Sequence, residues 1–147
     1  MPALMKFLHI VAAIVWLGGI SFMLLAMRPA AAALAPPQRL PLIALALGKF
    51  FTLVWLAIGL LLLTGLAMLL GVGMKNAPAG WHLMFGIGLL MFALFGHLYF
   101  GAFRRLKQAV AATDWPEGGR RVGQIATLSG LNLALGGLAL AAVIFLV

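Results

Sequence analysis

Three histidines, His9, His82 and His97, stand in a chain whose apolar stretches hold few other ionisable groups. Imidazole binds haem iron and copper, and an ionisable side chain inside a membrane is by default a functional-site hypothesis. The chain has no cysteine, and its two carboxylates are Asp114 and Glu117. This composition excludes thiolate metal sites, iron–sulfur clusters and covalently attached haem, and it leaves histidine and methionine as the main metal ligands.

The composition is that of a membrane protein. Of the 147 residues, 65% are hydrophobic and 8% are charged, whereas soluble domains have about 45–50% apolar and roughly 25% charged residues. Four segments reach the roughly 20 apolar residues that a spanning helix needs, at about 4–27, 50–73, 80–103 and 123–147. Because lipid offers no partner for free backbone N–H and C=O groups, we predict one all-α membrane domain, 1–147, folded as an antiparallel four-helix bundle.

The basic residues predict how the bundle is oriented. Eight of the ten Lys and Arg residues lie in the connections 28–49 and 104–121, and the other two are Lys6 and Lys75. The positive-inside rule then places both long connections in the cytoplasm and both termini in the periplasm of a bacterial inner membrane. The net charge of +8 is scattered at the ends of apolar runs, so we predict no nucleic-acid binding. The stretch Phe7–Met27 is too long for a typical signal peptide and is predicted to be a retained span.

Proline and glycine predict where the helices are interrupted. Pro36, Pro37 and Pro41 predict a break before the second span, with a short helix over Pro41–Lys49. In the 104–121 loop, Asp114 is a candidate helix cap, and helix-breaking residues follow it, namely Pro116, Gly118 and Gly119.

Depth in the membrane decides which histidines can cooperate. The first and third spans run in the same direction, so His9, ~8 Å into its span, and His82, ~3 Å into its span, both belong to the periplasmic half. His97 lies ~22 Å deeper than His82 and cannot share a small site with it. We therefore predict His9 and His82 as a facing pair and His97 as a packing residue.

A facing pair of imidazoles suits haem b, which needs two axial ligands. Gly86, one turn after His82, would let a porphyrin approach the backbone, and Trp16 shares a helical face with His9. Lys6 and Lys75 lie where the propionates would emerge. The predicted function is electron transfer between a periplasmic redox partner and a membrane carrier such as quinone, and any enzymatic activity would be that of a haem-dependent membrane oxidoreductase.

Two other functions remain open. Copper would use His9 and Met5 one turn before it, with His82 as a further candidate ligand, since Cu(I) accepts imidazole and thioether ligands. His97 and Met23 form a weaker candidate ligand pair. A cofactor-free structural or assembly protein is the third reading, and small-residue faces would permit a homo-oligomer.

A specific pattern, LH…WxGG, opens the chain within LHIVAAIVWLGG at 8–19. It is followed by Arg28–Pro29, by Thr64–Gly65, and by the stretch from His82 through FGHLYFGAFRRL at 95–106 to DW at 114–115. Together these segments resemble the CopD-like family of small bacterial membrane proteins, which is associated with copper uptake at the inner membrane. The resemblance implies copper, carried by His9 and His82.

The same LH…W…G opening and the third span led by Trp81 also resemble the HemJ-type protoporphyrinogen oxidases. Those are four-helix haem proteins in which a histidine of the first span is important, which implies haem ligation by His9. Their third span carries a lysine shortly after the tryptophan, whereas here Trp81 is followed by HLMFGIG. The resemblance therefore does not choose between haem and copper.

Overall fold

The computed structural model describes residues 2–146, and four long helices account for most of them. These are α1 Pro2–Ala31, α2 Pro36–Val72, α3 Ala79–Ala111 and α4 Trp115–Phe145. Each helix is long and apolar enough to cross a membrane, which confirms the predicted all-α four-helix membrane bundle. The short connections 32–35, 73–78 and 112–114 make successive helices antiparallel. The start of α1, the end of α4 and the α2–α3 connection therefore lie at one end of the bundle, called here the terminal end, and the other two connections lie at the far end.

The second helix begins earlier than the proline pattern predicts. Instead of a separate short helix over Pro41–Lys49, α2 is continuous from Pro36 and contains Pro41. Pro36 and Pro37 occupy the first turn, where backbone N–H groups have no intrahelical partner in any case. Pro41 therefore removes one hydrogen bond close to the start of the helix, and the remaining turns continue through it.

The polar 104–121 segment is also mostly helical. Helix α3 ends at Ala111 and α4 begins at Trp115, so a three-residue turn replaces the predicted long loop. Asp114 is the N-cap of α4, as predicted, and its side chain accepts a hydrogen bond from the backbone N–H of Glu117 at 3.3 Å. Pro116 falls in the first turn of α4 and does not break the helix, because its missing N–H would have no partner there.

The helices pack as two close pairs, α1 with α2 and α3 with α4, and contacts between the pairs are sparser. At the terminal end the second pair is tied by a hydrogen bond from the backbone N–H of Gly80 to the carbonyl of Leu146, at 3.1 Å. A side chain at Gly80 would collide with the carbonyl oxygen of Ala142. Glycine at this position therefore allows α3 and α4 to meet backbone to backbone.

The packed core fills mainly the far half of the bundle. An aromatic cluster forms its centre, with ring centroids 4.9 Å apart for Phe51 and Phe103, 5.2 Å for Phe51 and Phe95, and 5.0 Å for Trp55 and Phe95. These pairs meet edge to face, the geometry that aromatic quadrupoles favour. Because close packing joins the two helix pairs here, the terminal half is where space between them remains.

Candidate functional site

A cavity of about 840 Å³ lies between the two helix pairs in the terminal half. Its walls are largely aliphatic, aromatic and thioether side chains contributed by all four helices. The lining residues include Met5, Lys6, His9, Trp16, Leu17, Gly65, Met68, Trp81, Met84, Met91, Phe92 and Gly136. The cavity is thus an apolar space with few polar groups, and His9 is one of them.

His9 is held by the neighbouring helix α2. Its Nδ1 lies 2.9 Å from the hydroxyl oxygen of Thr64, which is 2% exposed. The Thr64 hydroxyl also lies 2.6 Å from the backbone carbonyl of Leu60, to which it donates its proton. Since that proton is committed, the hydroxyl accepts from His9, and the proton of the neutral imidazole is on Nδ1.

This hydrogen bond leaves the lone pair of Nε2 of the neutral His9 ring to bind a ligand. A Cβ added at Gly65 would lie 3.2 Å from Cε1 and 3.7 Å from Nδ1 of His9, so this edge of the ring faces α2. Glycine at 65 gives the ring room to lie against the helix. Since Nδ1 is held by Thr64 and His9 lines the cavity, the ring has one nitrogen left to bind a ligand, and a second group sets its orientation, the usual arrangement of a metal-binding histidine.

Four of the eight methionines line the same cavity as His9, namely Met5, Met68, Met84 and Met91. The stacking of Trp16 on Phe92, with ring centroids 5.8 Å apart, sets the register of α1 against α3. Counting back from that pair puts Met84 within about one residue of the level of His9 and Met91 ~10 Å deeper. Met5 and Met68 each lie one turn, or ~6 Å, nearer the terminal end. The thioethers thus surround the level of His9 above and below.

The floor of the cavity is aromatic and ends at a buried amide. Trp16 is 2% exposed and also meets Phe95 edge to face at 6.2 Å. One turn below the lining residue Gly136, Asn132 donates a hydrogen bond to the carbonyl of Met91 at 3.2 Å. Its amide oxygen finds no hydrogen-bond partner among residues 2–146. This amide ties α4 to the turn of α3 that carries Met91.

The structure separates the predicted cofactor ligands. Lys6 and Trp16 line the cavity with His9, whereas His82, Lys75 and Gly86 are exposed and lie outside its lining. Helical geometry explains the position of His82, since its neighbours Trp81 and Met84 face the cavity and a residue one position on is turned by about 100°. The predicted pairing of His9 with His82 across the bundle is therefore not formed.

The weaker candidate metal ligands are also separated in the structure. Met5 lines the cavity, but Met23 lies against a narrow groove in the far half, beside Arg28. His97 is exposed at the level of the core. Among residues 2–146, no group of three His, Asp or Glu side chains is arranged to hold a metal, so any metal in the cavity depends on His9 and on thioethers.

Sequence reasoning missed Thr64 as the partner of His9, and it missed three of the methionines. The spacing of Trp81, Met84, Gly88 and Met91 repeats at three and four residues, which is the spacing of a single helical face. That pattern could have identified Met84 and Met91 as neighbours. No pattern within α2 links Thr64 to a residue 55 positions earlier.

The comparisons with known proteins agree with a copper-related family. The family model for CopD, copper resistance protein D, matches residues 44–146, more than half of the chain. The matched part contains Thr64, Gly65 and three of the four cavity methionines, while His9 precedes it. Neither the curated proteins nor the solved structures contain a match. The chain is a multi-pass protein of the bacterial inner membrane and belongs to the CopD family of copper resistance proteins.

Proposed function

We propose that this protein binds Cu(I) as its cargo in the terminal-half cavity, through Nε2 of His9 and methionine thioethers. The observation that carries the proposal is the free Nε2 of an imidazole oriented by Thr64, in a cavity that also holds four methionines. Met84 is the thioether nearest to the level of His9. The copper resistance role of the family supports the same metal.

The donor set fits Cu(I) better than the other biological metals. Cu(I) is soft and accepts thioether and imidazole ligands, whereas Mg²⁺, Ca²⁺ and Mn²⁺ prefer oxygen. The chain has no cysteine, and the described residues that line the cavity include no carboxylate. A cavity with a single imidazole and several thioethers therefore discriminates against hard cations and Zn²⁺.

The methionines suggest how the ion reaches His9. Met5 and Met68 lie one turn nearer the terminal end than His9, and Met84 lies near its level. An ion that enters at the terminal end would meet thioethers first and the imidazole next. Met91 lies deeper, above the packed aromatic core, so the ligand series ends about halfway through the bundle.

We further propose that the terminal end faces the periplasm. Lys6 and Lys75 lie at or near that end, and the other eight basic residues lie nearer the far end, at Arg28, Arg39, Lys49, Arg104, Arg105, Lys107, Arg120 and Arg121. The positive-inside rule then puts the far end in the cytoplasm. Copper would accordingly be taken up from the periplasmic side.

Haem b is a second candidate, and the size of the cavity favours it. A volume of about 840 Å³ is more than a single ion requires. His9 and the thioether of Met84 or Met91 would hold the iron, and Lys6 would pair with a propionate. Bound haem would supply one-electron redox chemistry for transfer to quinone or to a periplasmic partner.

Metal analysis and a visible spectrum of the purified protein separate the candidates. We expect one tightly bound Cu(I) per chain under anaerobic reducing conditions, measured by competition with a coloured Cu(I) chelator. His9→Leu should abolish competition, and His82→Leu, the matched histidine control, should keep it. A Soret band that His9→Leu removes would favour haem b. Binding of neither copper nor haem would contradict both candidates and leave a structural or assembly role.

A further inference from the structure

The cavity is larger than a copper ion and its ligands need. Its volume of about 840 Å³ lies in the range of roughly 300–1,000 Å³ that is typical of pockets for drug-sized molecules. The lining on α1 extends from Pro2 to Leu17, a depth of ~22 Å along the helix. The cavity therefore has room for an organic molecule that carries a ring.

The side walls of the cavity are the seams between the two helix pairs. Helix α2 contacts α3 sparsely, and α1 contacts α4 less than it contacts α2. Residues beside both seams line the cavity and are themselves exposed, with Ile10 of α1 49% exposed, Leu140 of α4 53% and Leu62 of α2 37%. In a membrane these seams face acyl chains, so a molecule dissolved in the bilayer can reach the cavity from the side.

His9 is a polar group of the cavity whose hydrogen-bonding capacity favours one class of ligand. Because Nδ1–H of His9 is committed to Thr64, Nε2 can accept a hydrogen bond but cannot donate one while the ring is neutral. An acyl chain offers Nε2 nothing, and a carbonyl oxygen offers a second acceptor. A ligand with an O–H group satisfies it, and the partly exposed rings of Trp81 and Phe92, which line the cavity, favour an aromatic body.

From this combination we infer that the cavity binds a membrane-soluble hydroquinone, with one ring hydroxyl donating to Nε2 of His9. The reduced form is preferred over the quinone because the quinone has two carbonyl acceptors and no O–H. Selectivity for redox state then comes from the tautomer of His9, which Thr64 sets. In this role Thr64 is a positioning residue, since it acts through the imidazole.

Hydroquinone and Cu(I), the cargo in the proposed function, would bind the same atom, Nε2 of His9. Nε2 has a single lone pair, so it holds either Cu(I) or the hydroquinone at one time. Hydroquinone binding should therefore weaken the apparent affinity for Cu(I), and Cu(I) should displace the hydroquinone. This competition links the inference to the copper site, although each ligand can be measured alone.

The experiment uses the full chain in quinone-free phospholipid nanodiscs and a short-chain hydroquinone as the probe. Its binding is followed by quenching of tryptophan fluorescence, because Trp16 and Trp81 line the cavity. The comparison ligands are the matching quinone and the dimethyl ether of the same hydroquinone, which keeps the shape and lacks the O–H groups. We expect saturable quenching, with the hydroquinone bound about three- to tenfold more tightly than either comparison ligand, the net effect of one hydrogen bond.

One substitution tests the tautomer directly, and two others serve as controls. Thr64→Val removes the acceptor of Nδ1–H, so the ring can carry its proton on either nitrogen. The ratio of the affinities for hydroquinone and quinone should then fall to about one. Thr52→Val is the matched control, because Thr52 donates to a carbonyl four residues earlier in the same helix, at 3.0 Å, and is exposed. It should keep the wild-type preference. Trp115→Phe, at the far end, should keep the quenching.

The outcomes separate this inference from the proposed function. Equal affinity for the dimethyl ether, an unchanged preference in Thr64→Val, or simultaneous binding of Cu(I) and hydroquinone without competition would each overturn the inference. Quenching that rises linearly without saturation would also overturn it. If Cu(I) binding still depends on His9 in those cases, the proposed copper function stands alone. Saturable, redox-selective quenching in a protein that binds no Cu(I) would support the inference and contradict the copper function.

Discussion

Replacement of Thr64 by valine tests whether the imidazole of His9 is oriented for metal binding. Valine keeps nearly the same shape and removes the hydroxyl that accepts from Nδ1 of His9 at 2.9 Å. The carbonyl of Leu60, which the hydroxyl also contacts, keeps its place in the helix. The substitution therefore removes one orienting hydrogen bond and leaves the cavity in place.

The expected losses of stability and of Cu(I) affinity both follow from the removal of this one hydrogen bond. A hydrogen bond between membrane helices contributes on average about 0.6 kcal/mol, so the free energy of unfolding should fall by less than about 1 kcal/mol. Loss of the group that orients a metal-binding histidine typically weakens metal affinity 10–100-fold. We expect the lower part of this range, about tenfold or 1.4 kcal/mol, because thioether ligands remain. The effect on affinity should thus exceed the effect on stability.

The assay is anaerobic competition for Cu(I) with a coloured chelator, run beside thermal unfolding of the same samples. Thr64→Ser keeps the hydroxyl and should bind Cu(I) within about threefold of the wild type, less than the roughly fivefold effect of losing one neutral hydrogen bond. Thr52→Val removes a comparable hydroxyl, one that contacts no histidine, and should leave affinity unchanged. Equal Cu(I) affinities for Thr64→Val and Thr52→Val would refute the reasoning that Thr64 orients His9.

Three further predictions concern the cavity wall and the helix ends. Gly65→Ala places a Cβ 3.2 Å from Cε1 of His9 and should weaken Cu(I) binding two- to tenfold, about the cost of forcing the ring off its rotamer; unchanged chelator competition would contradict this contact. Met84→Leu removes the thioether at the level of His9 and should weaken Cu(I) binding at least as much as Thr64→Val, while Met23→Leu in the far half should bind normally. Gly80→Ala should lower the free energy of unfolding by about 1–3 kcal/mol through overpacking, as measured by thermal unfolding. Gly86→Ala is the control and should leave it unchanged, because a Cβ there meets nothing within 4 Å. Similar melting temperatures for the two variants would argue against close α3–α4 contact.

The sequence was sufficient for the fold because the bilayer restricts the choices. Four apolar runs of spanning length leave few alternatives to a helical bundle. The helix limits were less predictable, as Pro41 and Pro116 show. A proline is read as a helix breaker, but its effect depends on whether it falls in the first turns, where a missing N–H costs little.

The candidate site was predictable in part. His9, Trp16 and Lys6 share a helical face, and they line one cavity. The pairing with His82 rested on depth alone, and depth does not determine which way a side chain points around its helix. Thr64 and Met68 join the site through the packing of α1 on α2, a contact between distant segments that helical periodicity within one segment does not reveal.

X-ray absorption at the copper edge of the Cu(I)-loaded protein tests the donor set most directly. We predict a first shell that contains thioether sulfur together with one imidazole nitrogen, and the imidazole contribution should disappear in His9→Leu and persist in His82→Leu. A first shell of nitrogen and oxygen without sulfur, or an identical spectrum in His9→Leu, would contradict a copper site built from His9 and the cavity methionines.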